Sequence, residues 1–486
     1  MRDLKPDICV IGAGSAGLSV AAGAAQLGAE TVLIEAGEMG GDCLNYGCVP
    51  SKALLAAAHA AVRHRDGVAF GVGSSPPTVD RARVASHVKE VIAGIAPHDS
   101  VERFEGLGVT VVRAWAKFTD RDTMVAGEFR IKARRFVLAV GSSAFVPPIP
   151  GLDQVPYLTN ETVFDHIAEI RDLIVLGGGP IGVELAQAFA RLGVQVTLVE
   201  MARLLPRDDA EAAELVRASL LRDGVTLHET CAATEVQKSG DRIRLAYRDA
   251  QGATGGATGS ATSWLEAGHL LVAVGRRPRV ENMGLDAAGI DADSKGIKVD
   301  AGLRTGNRRV YAIGDCTGGP AFTHVAGAQA GLVIRSALFR LPVKFETRAL
   351  PWVTYTDPEL AQIGLTEAAA RQAQGQGRGE IVVTRLTFGD NDRARTERTI
   401  DGFIKVVSGP KGAILGVTIV GPRAGELLAP WALAMSRRLK LSALAGLLLP
   451  YPTLGELSKR AAGQFYVPKL FSPWVRRLVA SLRRFG

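Results

Sequence analysis

The feature that most constrains this chain is a glycine-rich segment that occurs twice. Residues 7–17 read DICVIGAGSAG, and residues 172–182 read DLIVLGGGPIG. In each copy an apolar run precedes the glycines, an alanine-rich stretch with helical spacing follows them, and a second apolar run ends in an acid. Equivalent positions in the two copies keep one constant offset, a register that chance does not readily produce. The sequence therefore predicts two strand–helix–strand units built on one plan.

The spacing of the glycines in each unit is typical of a dinucleotide-binding turn. The first glycine permits the tight turn, the second lets the backbone approach a pyrophosphate, and the third lets the helix pack on the strand. The pyrophosphate then lies at the helix N-terminus, where free N–H groups and the dipole favour an anion. An acid at the end of the second apolar run can accept hydrogen bonds from ribose hydroxyls. The predicted binding residues are Gly12, Gly14, Gly17 and Glu35 in the first unit, and Gly177, Gly179, Gly182 and Glu200 in the second.

The second acid also bears on the choice of nicotinamide. A carboxylate at Glu200 would repel a 2′-phosphate, so NADH is favoured over NADPH. Arg203 lies close enough in sequence to soften this preference.

Length, composition and charge set the class of protein. A chain of 486 residues predicts about three domains, and 47% hydrophobic residues with 6% aromatics fit an α/β protein rather than a disordered one. A strand-like run begins at residue 7 with no leader before it, and no apolar stretch is long enough to span a membrane, so we expect a cytoplasmic protein. The net charge of +8 comes without a basic motif interleaved with aromatics, so nucleic acid is not an expected partner.

A close cysteine pair lies in residues 40–52, which read GGDCLNYGCVPSK. Cys43 and Cys48 are separated by four residues, and no second ligand pair accompanies them, so we predict no metal site. A helix beginning near this segment would lower the thiol pKa by its dipole and make thiolates available. We interpret the pair as redox-active; metal ligation and an inert buried pair are the alternatives.

These motifs resemble those of the class I pyridine nucleotide–disulfide oxidoreductases, and the likeness covers residues 4 to about 467. It extends to VLAVG at 137–141, VAVGRRP at 272–278 and YAIGD at 311–315. The resemblance implies an α/β fold with two Rossmann-like dinucleotide-binding domains, for FAD and NAD(P), and a C-terminal α+β dimerisation domain. The implied segments are 1–150 (FAD, first part), 151–278 (NAD(P)), 279–348 (FAD, second part), 349–467 (dimerisation) and a basic tail at 468–486.

The resemblance also implies roles for individual residues. Cys48 would lie against the flavin as the charge-transfer thiol, and Cys43 would be the exposed thiol that exchanges with substrate. Lys52 and Glu184 would pair beside the flavin, the alternative for Glu184 being an acid on a helix surface. The implied cofactor-binding set further contains Gly41, Gly141 and Asp315 for FAD, and Gly275 for NAD(P).

The chain departs from the family pattern near its C-terminus. Residues 449–456 read LPYPTLGE, so Tyr451 stands where disulfide-reducing members carry a histidine base, with Glu456 following. A phenol with an ordinary pKa near about 10 is a poor proton acceptor at neutral pH. Mercuric reductase also has a tyrosine here, yet this chain has no cysteine after Cys316 to relay Hg(II) inward. In the homodimer that the family forms, Tyr451 and Glu456 would act across the interface; plain packing in the dimer seam is the alternative.

Three functions therefore remain open. The first is an NAD(P)H-dependent flavoprotein that exchanges electrons with a thiol, disulfide or soft-metal acceptor through Cys43 and Cys48. The second is a dihydrolipoyl dehydrogenase acting on a lipoylated carrier protein. The third is a redox-sensing or membrane-docking flavoprotein with little turnover.

The tail at residues 469–486 carries five basic residues and no acid. As a helix it would align Trp474, Leu478, Leu482 and Phe485 in one stripe. Such a segment could lie on the anionic inner face of a membrane or dock a partner. Packing onto its own dimer is the alternative.

Overall fold

The structure is a computed structural model that describes residues 1–73, 77–249, 262–375 and 379–485. The composition predicts a loop over residues 249–263, of which 250–261 lie outside the described residues. Asp249 and Ser263, at its two ends, belong to strands. The helices are α1 (Ser15–Gln26), α2 (Gly41–Asn45), α3 (Cys48–Asp66), α4 (Arg81–Ile95), α5 (Val101–Gly106), α6 (Pro180–Arg191), α7 (Ala210–Arg222), α8 (Thr323–Phe339), α9 (Glu367–Gly375), α10 (Asp392–Thr396), α11 (Ala424–Leu427), α12 (Ala429–Ser436), α13 (Leu441–Ala445), α14 (Gly455–Gln464), α15 (Val467–Leu470) and α16 (Pro473–Leu482).

The strands follow the same chain order. They are β1 (Arg2–Leu4), β2 (Ile8–Ile11), β3 (Thr31–Glu35), β4 (Val109–Arg113), β5 (Ala116–Phe118), β6 (Met124–Ala126), β7 (Phe129–Ile131), β8 (Arg135–Leu138), β9 (Ser142–Ala144), β10 (Tyr157–Leu158), β11 (Asp172–Leu176), β12 (Gln195–Val199), β13 (Thr226–His228), β14 (Cys231–Ser239), β15 (Arg242–Asp249), β16 (Ser263–Ala267), β17 (His269–Val272), β18 (Arg276–Pro278), β19 (Ala292–Asp293), β20 (Gly296–Ile297), β21 (Val310–Ala312), β22 (Pro351–Thr354), β23 (Glu359–Gly364), β24 (Val382–Thr387), β25 (Phe403–Ser408) and β26 (Ile414–Gly421).

The chain divides into two compact units. The first contains Met1–Met201 and Thr226–Phe345, and the second contains Ala202–Val225 and Glu346–Gly486. Both predicted nucleotide-binding regions lie mainly in the first unit, and the predicted dimerisation region lies in the second. The domain boundaries at residues 150, 278, 348 and 467 stay predictions.

A five-stranded parallel sheet in the first unit carries the first glycine-rich turn. Its order is β21–β8–β2–β3–β4, with β2 in the middle. Strand β2 is buried along its whole length, as its unbroken apolar run predicts for a sheet covered on both faces. From β2 the chain crosses through α1 to β3 on one side, and β8 pairs on the other. The turn after β2 therefore lies at a switch point, where nucleotides bind in open α/β sheets.

A second five-stranded parallel sheet in the same unit repeats this plan. Its order is β10–β17–β11–β12–β13, with β11 in the middle and α6 crossing from β11 to β12. The first glycine of each turn donates its N–H to the strand beyond the helix, Gly12 to Ile34 and Gly177 to Val199, at 2.8 Å in both cases. The prediction of two strand–helix–strand units is confirmed.

The second unit is built on one antiparallel sheet of order β22–β23–β26–β25–β24. Its core includes Trp431, which is fully buried and donates its indole N–H to Ser458 at 3.1 Å. Helices from α9 onward accompany the sheet, so the predicted α+β architecture is confirmed. In the first unit, β4 to β9 lie between Val109 and Ala144, and the described residues from Thr226 to Val272 contain β13 to β17.

Candidate active site

The first glycine-rich turn is closed by two steric contacts that only glycine allows. Gly12 has φ +100°, and a Cβ there would overlap the carbonyl oxygen of Ala139. A Cβ on Gly17 would overlap the carbonyl oxygen of Gly12, so the helix lies directly against the turn. Gly14, between them, has ordinary space around its Cα. The nearest described atom to a Cβ there is the Cα of Gly41, at 3.9 Å.

The second turn has the same contacts. Gly177 has φ +112° and faces the carbonyl oxygen of Ala273, and Gly182 faces the carbonyl oxygen of Gly177. No atom of the described residues lies within 4 Å of a Cβ built on Gly179. In both turns, then, the outer glycines are required by packing and the middle glycine borders open space.

The two acids make the same contact in both units. Glu35 Oε2 accepts from the N–H of Ala13, and Glu200 Oε2 accepts from the N–H of Gly178, each at 2.5 Å. The other oxygen of Glu35 accepts from Gly37 N–H at 2.6 Å. Each carboxylate therefore ties the end of its second strand to the glycine turn, a structural duty that the sequence analysis did not foresee.

These features fit two dinucleotides. Helices α1 and α6 begin at Ser15 and Pro180, with Gly14 and Gly179 as their N-cap residues, and no side chain among the described residues caps either N-terminus. The first backbone N–H groups of each helix are therefore available to an anion, and the helix dipole favours one. The missing Cβ at each middle glycine leaves the room that a pyrophosphate needs to approach.

The two cysteines occupy neighbouring helix starts. Cys43 lies in the short helix α2, is partly exposed and is a thiol; Cys48 is the first residue of the 19-residue helix α3, is exposed and is also a thiol. Gly47, which offers no side-chain cap, precedes Cys48. The predicted helix beginning at the pair is confirmed. The hydroxyl of Thr323, at the start of α8, lies 3.6 Å from Cys48 Sγ.

The surroundings of the pair separate the pKa values of the two thiols. The hydrogen bond from Cys43, the Thr323 hydroxyl and the charge of Lys52 lower the pKa of Cys48 to about 6. The same hydrogen bond, with partial burial, raises the pKa of Cys43 well above its ordinary value. At neutral pH the reduced pair therefore holds a thiolate on Cys48 and the shared proton on Cys43.

The ammonium of Lys52 lies one helical turn after Cys48 and meets a buried carboxylate. Lys52 Nζ is 2.7 Å from Glu184 Oε2, and the Glu184 side chain, on α6, is only 6% exposed. Glu184 therefore is not an acid on a helix surface, and the alternative interpretation of this residue was wrong. The pair joins the cysteine helix α3 to α6, the helix that begins at the second glycine turn.

A polar chain that the sequence analysis missed holds the cysteine loop from the other side. The guanidinium of Arg276 donates to Asp42 Oδ1 at 2.9 Å and to Ser142 Oγ at 2.8 Å. The Ser142 hydroxyl in turn donates to Asp315 Oδ2 at 2.6 Å. Asn160 adds a donor to Asp42 at 3.2 Å. These hydrogen bonds thus connect Asp315 to Asp42, the residue directly before Cys43.

The one sign of these hydrogen bonds in the sequence is that some of the residues that make them lie in the motifs described above. Arg276 lies in VAVGRRP and Asp42 lies in GGDCLNYGC, but neither motif indicates that the two side chains meet. Gly275 and Gly141, predicted as cofactor-binding, both have positive φ, and no described atom lies within 4 Å of a Cβ built on either.

The backbone of the cysteine loop also packs on the first glycine turn. Gly40 N–H donates to Ala13 O at 2.9 Å. A Cβ on Gly41, which has φ +60°, would lie 2.7 Å from the Cα of Gly14. The loop is therefore fastened at the place where the first nucleotide is expected.

Tyr451 and Glu456 lie in the second unit. The Tyr451 side chain is exposed, and its hydroxyl donates to Asp392 Oδ2 at 2.8 Å. That hydrogen bond raises the pKa of the phenol above its ordinary value, so Tyr451 is protonated at neutral pH. Glu456, in the first turn of α14, accepts from Thr453 N–H at 3.4 Å.

Two features are absent from the part of the chain that the structure describes. Within the described ranges, no group of three or more His, Cys, Asp and Glu side chains is arranged to hold a metal ion. No helix in the same ranges combines the length and the apolar character needed to cross a membrane.

Known proteins share this architecture over most of the chain. A dihydrolipoyl dehydrogenase of Thermus scotoductus is 36% identical over 477 residues, which are 94% of this chain and 96% of that protein. A mercuric reductase of Bacillus cereus is 34% identical over 462 residues, covering 94% of this chain and 71% of that protein. Among solved structures, the HOCl-induced flavoprotein disulfide reductase RclA of Escherichia coli superimposes with a TM-score of 0.81 at 25% identity, over 94% of this chain and 99% of the other.

Two family models match consecutive parts of the chain. The model described as pyridine nucleotide-disulphide oxidoreductase matches residues 6–330, and the dimerisation domain of the same family matches residues 350–462. The two glycine turns and the cysteine loop lie inside the first match. This chain therefore belongs to the pyridine nucleotide–disulphide oxidoreductase family, whose members bind FAD and use NAD(P)H.

Proposed function

We propose that this protein is an NADH-dependent reductase that passes electron pairs through a Cys43–Cys48 disulfide to a soft-metal or disulfide acceptor. The observation that carries the proposal is the placement of the cysteine pair: Cys48 is the first residue of α3, and its Sγ lies 3.6 Å from the Thr323 hydroxyl. These surroundings lower the pKa of Cys48 to about 6. A thiolate at the start of a long helix, next to an ammonium and a hydroxyl, suits a group that must donate electron density at neutral pH.

FAD and a nicotinamide nucleotide, when bound, would supply hydride chemistry. The first turn and Asp315 would hold FAD, and the second turn with Gly275 would hold the nicotinamide nucleotide. Two electrons and one proton convert the Cys43–Cys48 disulfide into the Cys43 thiol and the Cys48 thiolate. In exchange with an acceptor disulfide, the sulfur of Cys43 attacks, the acceptor S–S bond breaks, and one acceptor thiol leaves. Cys48 thiolate then attacks Cys43, which re-forms the internal disulfide and releases the second acceptor sulfur as a thiolate, which takes a proton from water.

Proton removal from Cys43 decides which acceptor this site serves best. The raised pKa of Cys43 means that attack on a disulfide needs a base, and Tyr451 is held protonated by Asp392. A soft metal ion needs no such base, because its binding to a thiol itself displaces the proton. Hg(II), which takes up an electron pair to give Hg(0), is the acceptor of this kind that thiolates prefer. The mercuric reductase relatives favour the same class, although this chain has no cysteine beyond Cys316 to deliver the ion.

The preference for NADH rests on two side chains. Glu200 places a carboxylate at the end of the second strand, where it would repel a 2′-phosphate. Arg203, the cation that could offset it, donates to the backbone carbonyl oxygens of Pro206 and Asp208 at 3.1 and 2.9 Å. We expect kcat/KM for NADH to exceed that for NADPH by about tenfold or more, and Glu200→Ser to narrow the ratio.

The dimerisation domain supports a homodimer. In that assembly, Tyr451 and Glu456 would complete the partner's cysteine site. Tyr451 would then act as a hydrogen-bond donor to the acceptor rather than as a base, because its proton is retained at neutral pH.

A dihydrolipoyl dehydrogenase acting on a lipoylated carrier is the second candidate, and the 36% identity to the Thermus scotoductus protein favours it. This candidate requires another group or water to take the proton that a histidine would take. A loss of general-base help costs roughly 10²- to 10⁴-fold in rate. A redox sensor with little turnover is the third candidate.

One steady-state comparison separates the three. NADH oxidation would be followed with Hg(II) as its thiol complex and with lipoamide, in the wild type, Cys43→Ser and Tyr451→His, with Cys231→Ser as a control. The proposal predicts turnover with Hg(II) that depends on Cys43, and slow lipoamide reduction that rises in Tyr451→His. Fast lipoamide turnover in the wild type would contradict the proposal and support the dihydrolipoyl dehydrogenase function. Rapid reduction by NADH without multiple turnover of either acceptor would contradict it as well and support the redox sensor.

A further inference from the structure

The end of the chain forms a helix that buries none of its described residues. Helix α16 begins after Ser472, whose hydroxyl accepts from Val475 N–H at 3.4 Å, with Pro473 in its first turn. Both residues are favourable at helix starts. Its ten residues at about 1.5 Å each make a rod roughly 15 Å long. Helix α16 is therefore a capped helix on the surface of the second unit, and burial of its side chains in a core does not account for it.

Apolar side chains line one side of this helix and are exposed. Trp474 is 68% exposed, Leu478 41% and Leu482 57%, and these three lie at i, i+4 and i+8. Phe471, just before the helix, and Phe485, just after it, are 61% and 85% exposed. Single exposed apolar residues need no explanation, but a contiguous exposed stripe marks an interaction surface.

The opposite side of the helix is basic. Arg476, Arg477, Arg483 and Arg484 are all exposed, and the segment from Lys469 to residue 485 contains no acid. At about 100° per residue these arginines cover the arc that the apolar stripe leaves open. Basic and apolar faces on one helix are the pattern of segments that lie in the plane of a membrane interface.

We propose that α16, with Phe471 and Phe485, docks this enzyme on a bilayer that contains anionic phospholipids. The aromatic and leucine side chains would enter the boundary between headgroups and acyl chains, and the arginines would contact lipid phosphates. A second copy of this helix is a poor occupant, because a two-fold contact would bring the arginines of both copies together. An anionic bilayer matches both faces at once. This proposal does not depend on which acceptor the enzyme reduces.

Vesicle flotation with the full-length holoenzyme tests the docking. The vesicles would contain either phosphatidylcholine alone or a mixture of phosphatidylcholine and phosphatidylglycerol, at low and at high salt. We expect binding to the anionic vesicles, weakened by salt. Arg476→Gln with Arg477→Gln should weaken it roughly thirtyfold, at about fivefold for each charge removed. Trp474→Ala with Leu478→Ala should weaken it at least about tenfold.

Two controls keep the result interpretable. Trp474→Phe retains an apolar ring, so it should bind like the wild type while losing the membrane-induced blue shift of tryptophan fluorescence. NADH oxidation should be unchanged in all tail variants. Binding that is equal on both vesicle types, or that ignores the arginine and apolar substitutions, would overturn the proposal. A change of oligomeric state in Trp474→Ala with Leu478→Ala, measured by light scattering, would instead assign the stripe to a contact between copies.

Discussion

The two strand–helix–strand units of this protein share their geometry and differ in the segment that comes after each. In both, the third glycine lies against the carbonyl oxygen of the first, and the acid returns to the turn at 2.5 Å. After Glu35 the chain goes directly into the cysteine loop, whose Gly41 packs on Gly14. After Glu200 the chain continues into the second unit. No described atom packs on the middle glycine of this turn, since none lies within 4 Å of a Cβ built on Gly179.

The difference shows where chemistry has been added to a repeated scaffold. Each unit has the features of a nucleotide site, but only the first has a reactive group fastened to its glycine turn among the described residues. The second contributes through Glu184, which reaches back from α6 to Lys52. The geometry of the glycine turn is thus shared between the repeats, and the cysteine pair lies in the loop that follows the first repeat.

The largest effect should come from removing the thiolate itself. We expect Cys48→Ser to lower NADH-dependent reduction of the acceptor at least about a thousandfold, because serine cannot form the disulfide. NADH oxidation by ferricyanide, which needs the nucleotides but not the thiols, should persist. Cys231→Ser is the matched control. Retained acceptor reduction in Cys48→Ser would place the redox chemistry outside the cysteine loop.

The next effect should distinguish the two repeats. Gly14→Ala and Gly179→Ala both fit the fold, since neither Cβ meets a described atom closer than 3.9 Å. Each methyl group would obstruct its own pyrophosphate, so Gly14→Ala should weaken FAD and Gly179→Ala should weaken NADH, by roughly tenfold to hundredfold. FAD content after gel filtration and the Kd for NADH measure the two. The assignment of the repeats fails if the losses are reversed.

The pH dependence of Cys48 alkylation tests how the surroundings of the cysteine loop set the pKa of this thiol. Because its pKa is lowered to about 6, alkylation of the reduced protein by iodoacetamide should rise with pH through a midpoint near 6. Lys52→Met removes a positive charge that favours the thiolate, so the midpoint should move upward and the rate at pH 6 should fall about two- to tenfold. Lys89→Met, on the exposed part of α4, should change nothing. An unmoved midpoint in Lys52→Met would rule out the charge of Lys52 as a cause.

The smallest effect should be a lowering of the Cys48 pKa, which is opposite in sign to the effect of Lys52→Met. The charge of Asp42 raises the pKa of Cys48, although Arg276 partly neutralises it. Asp42→Asn keeps a hydrogen-bond acceptor for Arg276 and removes the charge, so alkylation at pH 6 should increase by no more than about threefold. Asp66→Asn, at the far end of α3, is the control. A decrease would mean that Asp42 acts by positioning the loop rather than by charge.

Local patterns allowed most of the fold to be predicted. The glycine turns and the helix that begins at Cys48 follow from spacing between residues that are near in sequence, whereas the C-terminal α+β unit was implied by the family resemblance. The order of strands was not readable in the same way. Strand β21 (Val310–Ala312) pairs with β8 (Arg135–Leu138), which lies far earlier in the chain, and no local periodicity specifies such a neighbour.

The sequence by itself determined the two strand–helix–strand units and the helix that begins at Cys48, because turn geometry and helix starts depend on neighbouring residues. The redox role of the cysteine pair stays a prediction. Only the tertiary structure decided which side chains surround that pair. Thr323 meets Cys48, and Arg276 meets Asp42, across 275 and 234 residues of chain. Such contacts arise when packed elements bring distant positions together, and one of them, with the Thr323 hydroxyl, helps to lower the pKa of Cys48.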